Sequence, residues 1–97
     1  MEDQFNYHKN LCINIHNTFK QKNTAYGNSF EESVLKYGLI SALTRMSDKW
    51  NRIENLILHP STDTGDEPLK DSLLDLANYC LMTVMVLEDR EGDQNAK

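Results

Sequence analysis

The chain has 97 residues, 39% of them hydrophobic, with 10 Lys and Arg against 15 Asp and Glu for a formal net charge of −5. That composition describes one small soluble domain which buries roughly 60–65% of its unfolded surface, so self-association is a reasonable way to bury more. The acidic balance argues against coating duplex DNA or an anionic membrane through bulk charge, which needs a field of Lys and Arg; a small phosphorylated ligand held by two or three cations is still compatible with it.

The N-terminal MEDQFNYHKN has no apolar signal core. From Phe5 to Phe19, the residues Phe5, His8, Cys12, Ile15 and Phe19 recur at spacings of three and four, which predicts a first helix with these side chains in one stripe. Gln21 to Asn28 lacks periodicity and contains Gly27-Asn28, so it reads as a loop. Ser29-Phe30-Glu31-Glu32 has capping-box spacing and opens a short second helix that Gly38 can end. The third helix runs from about Leu39 to Leu58, with Leu39, Leu43, Met46, Trp50, Ile53 and Ile57 on one face. His59 to Glu67 reads as a polar connection with two helix breakers, and Pro68 suits the first turn of a fourth helix that continues to about Glu88.

Asp89 to Lys97 is charged and lacks apolar anchors, which predicts a disordered acidic tail after a single helical domain of residues 1–88. No segment reads as a strand, so the expected fold class is all-α: a small bundle of three long helices and one short one. Its third and fourth helices are expected to pack through Leu43, Met46, Trp50 and Ile53 against Leu73, Leu76, Cys80 and Val84. On that packing Trp50→Ala would cost about 3–5 kcal/mol. Leu74, Leu81 and Met85 add apolar surface to the fourth helix beyond its core stripe, which predicts a homo-oligomer. Cys12 and Cys80 sit on apolar stretches without zinc-type spacing and read as buried thiols of a reducing compartment. The longest apolar run, Leu73 to Leu87, is too short and too interrupted to span a bilayer. A cytoplasmic protein without a membrane partner is expected.

The chemistry resides in polar residues at unusual places. Asp75 lies in a helix that is apolar nearly all round, where an ionised carboxylate needs a partner. Asp71, Asp75 and Asn78 share a face and form either a divalent-metal or ligand site, or a buried network completed by a cation from a neighbouring helix. Arg45, Asp48, Lys49 and Arg52 fall within two turns of the third helix; they are either a solvated charged face or one wall of a polar cleft in which Arg45, Lys49 and Arg52 meet a phosphate. Tyr26-Gly27-Asn28-Ser29-Phe30 precedes a helix N-terminus that favours an anion. Tyr26 and Phe30 can stack on a base while Asn28 reads its edge, or the two rings pack into the core. His8, His16 and His59 do not form a ligand cluster.

Taken in order, Tyr26-Gly27-Asn28-Ser29-Phe30, Gly38-Leu39, Arg45 with Asp48-Lys49 and Arg52, then Asp71 and Leu74-Asp75-Leu76-Ala77-Asn78-Tyr79 resemble the phage and bacterial family called nucleotide modification associated domain 1. The resemblance covers about Tyr26 to Leu87 and implies a small helical domain, frequent in bacteriophage genomes, that handles nucleotides. A more distant similarity is to MazG-like all-α nucleotide pyrophosphohydrolases, whose E-E-x-x-E and E-x-x-D motifs hold magnesium. Here Glu31-Glu32-Ser33-Val34-Leu35 has Leu in place of the third acid, and Ser72-Leu73-Leu74-Asp75 has Ser in place of the first.

Three functions follow as expectations. The first is a binder of a nucleotide or nucleotide-derived signal without turnover and with no cofactor, such as a phage protein that sequesters a host immune messenger in the host cytoplasm. Its ligand residues would be Tyr26, Asn28, Phe30, Arg45, Lys49, Arg52, Asn78 and Tyr79. The second is a magnesium-dependent nucleotide pyrophosphohydrolase with Asp48, Asp71 and Asp75 at the metal. The third is a helical oligomer that engages a host protein.

Overall fold

In the computed structural model, residues 3–60 and 63–96 are described, with side chains to Arg90. They form a bundle of four helices, three long and one short: α1 (Gln4–Tyr26), α2 (Ser29–Tyr37), α3 (Leu39–Leu58) and α4 (Glu67–Ala96). No strand occurs among the described residues, and none of their helices is long and apolar enough to cross a membrane.

Helix α1 begins at Asp3, whose side chain accepts from the Asn6 N–H at 3.2 Å and so satisfies one of the free donors of the first turn. It then runs beyond Phe19 to Tyr26, so most of the expected loop is helix. Before Gly27 the sequence has no breaker, and Gln21, Lys22 and Ala25 all tolerate a helix well. Gly27 ends it with φ of 71°, a conformation that a side chain would strain. Of the expected apolar stripe only Ile15 is buried, while Phe5 is 87% exposed. This helix packs mainly on α4, where the Asn78 side-chain amide donates to the Ile15 carbonyl at 2.9 Å.

The cap of α2 is Asn28 rather than Ser29, and the Asn28 amide donates to the Glu31 carboxylate one turn on. Gly38, with φ of 85°, closes α2 through a 2.7 Å bond from its N–H to the Val34 carbonyl and opens α3 directly. Pro68 lies in the first turn of α4, where its missing N–H costs nothing. At its other end α4 continues to Ala96, past the expected boundary near Glu88.

α3 and α4 share the most extensive packing, through a face rotated from the expected one. Phe30, Val34, Ala42 and Val86 form the core, with Met46, Tyr79 and Met82 against it. Ile53 and Ser72 are buried farther along the same helix pair. Along α3 the inward line is Ala42, Met46, Lys49, Ile53 and Leu56, spaced four, three, four and three. Small Ala42, 1% exposed, meets the neighbouring helices. Leu43 and Trp50, each 56% exposed, are displaced to the outer edge, as are Leu73 and Val84 on α4. Cys12 and Cys80 are both exposed free thiols, contrary to the burial expected of them. Cys12 Sγ lies 3.7 Å from His8 Nδ1 on the outer side of α1, and Cys80 Sγ lies 3.8 Å from Met46 Sδ at the edge of the α3–α4 seam.

Candidate functional site

A cavity of about 390 Å³ opens where the C-terminal end of α1, the start of α2, and the middles of α3 and α4 converge. Helical spacing builds its walls. Phe19, Lys22, Asn23 and Tyr26 share one face of α1, and Asp75, Asn78, Tyr79 and Met82 share one face of α4, each set at offsets of three, four and seven. The turn at Gly27 brings Ser29 and Phe30 of α2 to the same space, and α3 contributes Arg45. Tyr26, 77% exposed, stands at the rim, whereas buried Phe30 faces Tyr79 with ring centroids 5.7 Å apart.

Asp75 on the cavity wall gathers two cations, of which Lys22 lines the cavity and Lys49, an expected ligand residue, does not. The Asp75 carboxylate, 27% exposed, lies 3.1 Å from Lys49 Nζ of α3 and 3.6 Å from Lys22 Nζ of α1, so the required partner comes from two helices. Both lysines remain partly exposed, which keeps each pair weak. Arg45 is half-buried and, among the described residues, has no ion pair and no hydrogen bond. The wall therefore offers an uncommitted guanidinium and an ammonium, with four aromatic rings.

Several expected site residues lie elsewhere. Arg52 does not line the cavity; its Nε donates to Ser72 Oγ at 3.0 Å, and Ser72 in turn donates to the Pro68 carbonyl at 2.8 Å, so Arg52 braces the first turn of α4. Asp48 is exposed and, although it lies within one turn of Arg45 and Arg52 on α3, it forms an ion pair with neither among the described residues. Asp71 lines a separate polar cavity of about 300 Å³, which shares Lys22, Asp75 and Asn78 with the first. Asn28 lines a third, of about 260 Å³. Lys22 and Asn23 were not among the expected ligand residues, because their segment reads as a loop, and Phe19 was not, because it reads as part of the apolar stripe of the first helix.

Magnesium does not fit this donor set. Among the described residues no three His, Cys, Asp or Glu side chains are grouped to hold a metal. Asp75, the most enclosed acid of the expected trio, already has two ammonium partners. A divalent ion would have to displace both.

No curated protein and no solved structure matches the chain. The sequence profile of one family, described as nucleotide modification associated domain 1, matches residues 22–87, well over half of the chain. The matched span contains every residue lining the main cavity except Phe19. On that match, the chain belongs to the nucleotide modification associated domain 1 family.

Proposed function

We propose that the protein binds a nucleotide or nucleotide-derived signal in the main cavity and releases it unchanged. The observation that carries this reading is that the uncommitted Arg45 and Lys22 line one cavity, walled by Phe19, Tyr26, Phe30 and Tyr79. A guanidinium grips phosphate oxygens through its planar fork of donors, and base stacking on an aromatic ring contributes about 1–3 kcal/mol. The start of α2, with Gly27 and Ser29 at the cavity, adds free backbone N–H groups to the anionic end. The acids support binding without turnover. In-line attack by metal-activated water needs several carboxylates converging on one or two ions, and Asp75 is committed to lysines instead.

The finer parts of this reading are that the bundle is MazG-like in its helix arrangement, that the protein is phage-encoded and acts in the host cytoplasm, and that it sequesters an immune messenger. Incubation with a nucleotide panel, with magnesium or with EDTA, followed by chromatography of the bound and free fractions, tests it. Bound nucleotide is expected to be recovered intact, with no effect of EDTA. Monophosphate or pyrophosphate released only with magnesium would establish the hydrolase instead.

The same reading includes a homo-oligomer. Leu43, Trp50, Ile57, Leu73, Leu81, Val84 and Met85 are each about half exposed on α3 and α4, apolar surface that contact with a second copy would cover. Sedimentation at micromolar concentration is expected to give a dimer or larger species, and a monomer there would remove the claim.

A further inference from the structure

The 300 Å³ cavity adjoins the main one but differs from it in chemistry. Lys22, Asp75 and Asn78 belong to both walls, yet no aromatic ring lines the smaller cavity. Its own polar side chains are Thr18 and Asn14, one and two turns before Lys22 on α1, and Asp71, one turn before Asp75 on α4. Ile15 and Leu74 complete the wall. Asn14, Thr18 and Asp71 have neither a side-chain hydrogen bond nor an ion pair among the described residues. Thr18 is the telling case. The helical threonines Thr24 and Thr44 each donate to the carbonyl four residues back at 2.8 Å, and Thr83 does so at 2.7 Å, whereas the half-buried Thr18 hydroxyl is left uncommitted. Asn78 commits its amide nitrogen to the Ile15 carbonyl, and its side-chain oxygen accepts no bond among the described residues.

We infer that this polar cavity holds the terminal sugar of a nucleoside diphosphate sugar whose nucleoside diphosphate occupies the main cavity. The inference rests on the nucleotide reading above and narrows its ligand class. Lys22 lines both cavities, so a phosphate that it holds sits at their border, and a group carried on the far side of that phosphate enters the smaller one. A second base is disfavoured there, because no ring offers it a stacking face. A further phosphate is disfavoured by the Asp71 carboxylate, which no cation offsets among the described residues. A neutral polyol meets neither obstacle. Each sugar hydroxyl both donates and accepts, and the wall supplies the matching set: a carboxylate that accepts, with a hydroxyl and an amide that do both. Ile15 and Leu74 offer apolar surface to the C–H face of the ring.

The test compares matched pairs by isothermal titration of the full chain: UDP with UDP-glucose, ADP with ADP-glucose, and GDP with GDP-mannose. At least one pair is expected to bind, and in each pair that binds the sugar-bearing member is expected to be about tenfold tighter, as two or three neutral hydrogen bonds provide. Arg45→Ala is expected to weaken both members alike and keep that ratio. The double variant Thr18→Val with Asp71→Ala is expected to retain the helical circular dichroism of the parent and to bring the ratio within about twofold. A diphosphate that binds as tightly as its sugar-bearing partner would overturn this inference and leave the nucleotide reading standing, whereas no binding by any of the six would overturn both. An undiminished ratio in the folded double variant would also overturn the inference. Should the double variant fail to fold, Thr18→Val alone is expected to lower the ratio at least threefold, and an unchanged ratio would count against the site.

Discussion

Phe30→Ala is expected to destabilise the domain by about 3–5 kcal/mol, and Trp50→Ala, measured on the monomer, by less than about 1 kcal/mol. The contrast rests on burial. Phe30 is 7% exposed, packs with Val34, Ala42 and Val86, and pairs its ring with Tyr79; removing it opens a void where α2, α3 and α4 meet. Trp50 keeps more than half its surface in water, so little transfer free energy is lost with it. For a domain of this size about 4–8 °C of melting temperature follows each kcal/mol, which puts the Phe30 variant about 12–40 °C below the parent. Chemical denaturation at two protein concentrations checks both values. A cost at Trp50 that grows with protein concentration would place that ring in a subunit interface. The reverse ranking at low concentration would mean that α3 meets α4 through the stripe read from the sequence.

That stripe is a case where periodicity identifies a helix but not its rotation. Leu39, Leu43, Met46, Trp50, Ile53 and Ile57 have the same four-three spacing as Ala42, Met46, Lys49, Ile53 and Leu56, and the two lines share Met46 and Ile53. Hydrophobicity favours the first; the close approach allowed by Ala42 and the pairing of Lys49 with Asp75 favour the second. The bounds of α3 were readable because Gly38 and His59-Pro60 are strong punctuation. The end of α1 was not, because a polar segment without a breaker has no apolar stripe to reveal it, although Lys22 is tied to Asp75.

Much of the main cavity was legible for a physical reason. A carboxylate in an apolar helix must find a cation, and Asp75 does so through Lys49, one of the cations marked on α3. Once that contact is fixed, Asn78 and Tyr79, three and four residues on, turn to the same space, with Arg45 one turn before Lys49. Tyr26 and Phe30 reach it because Gly27 reverses the chain between them. Lys22 escaped because its role depends on a tertiary contact across α1 and α4. Arg52 lies off the cavity for the converse reason: spacing along α3 groups it with Lys49, but its guanidinium donates to the buried Ser72 hydroxyl.

Arg45→Ala is therefore expected to weaken nucleotide binding by about 1.5–3 kcal/mol, the range for charged hydrogen bonds, or about 10- to 150-fold. Arg45 has no ion pair to break, so the variant should fold as the parent does, and the loss should be read in affinity alone. Arg52→Ala removes a brace on α4 and is expected to leave affinity within about twofold. Asp75→Asn separates the chemistries. It preserves shape while removing the charge that neutralises Lys22 and Lys49. Freed of it, two ammonium groups act on the phosphate, and at an effective dielectric constant between that of the protein surface and water this strengthens binding by about 0.5–1 kcal/mol, or about two- to fivefold. The gain should fade as salt rises toward 1 M, where screening shortens to about 3 Å. A metal-dependent hydrolase behaves in the opposite way, losing turnover and metal dependence when its carboxylate becomes an amide. Isothermal titration of the three variants with one nucleotide, with and without EDTA, distinguishes these outcomes. Affinity that rises in Asp75→Asn and ignores EDTA supports a phosphate site built on Arg45 and the two lysines. Affinity that falls more than tenfold would mean that Asp75 itself grips the ligand, as a carboxylate does when it accepts from a ribose hydroxyl or a base amine.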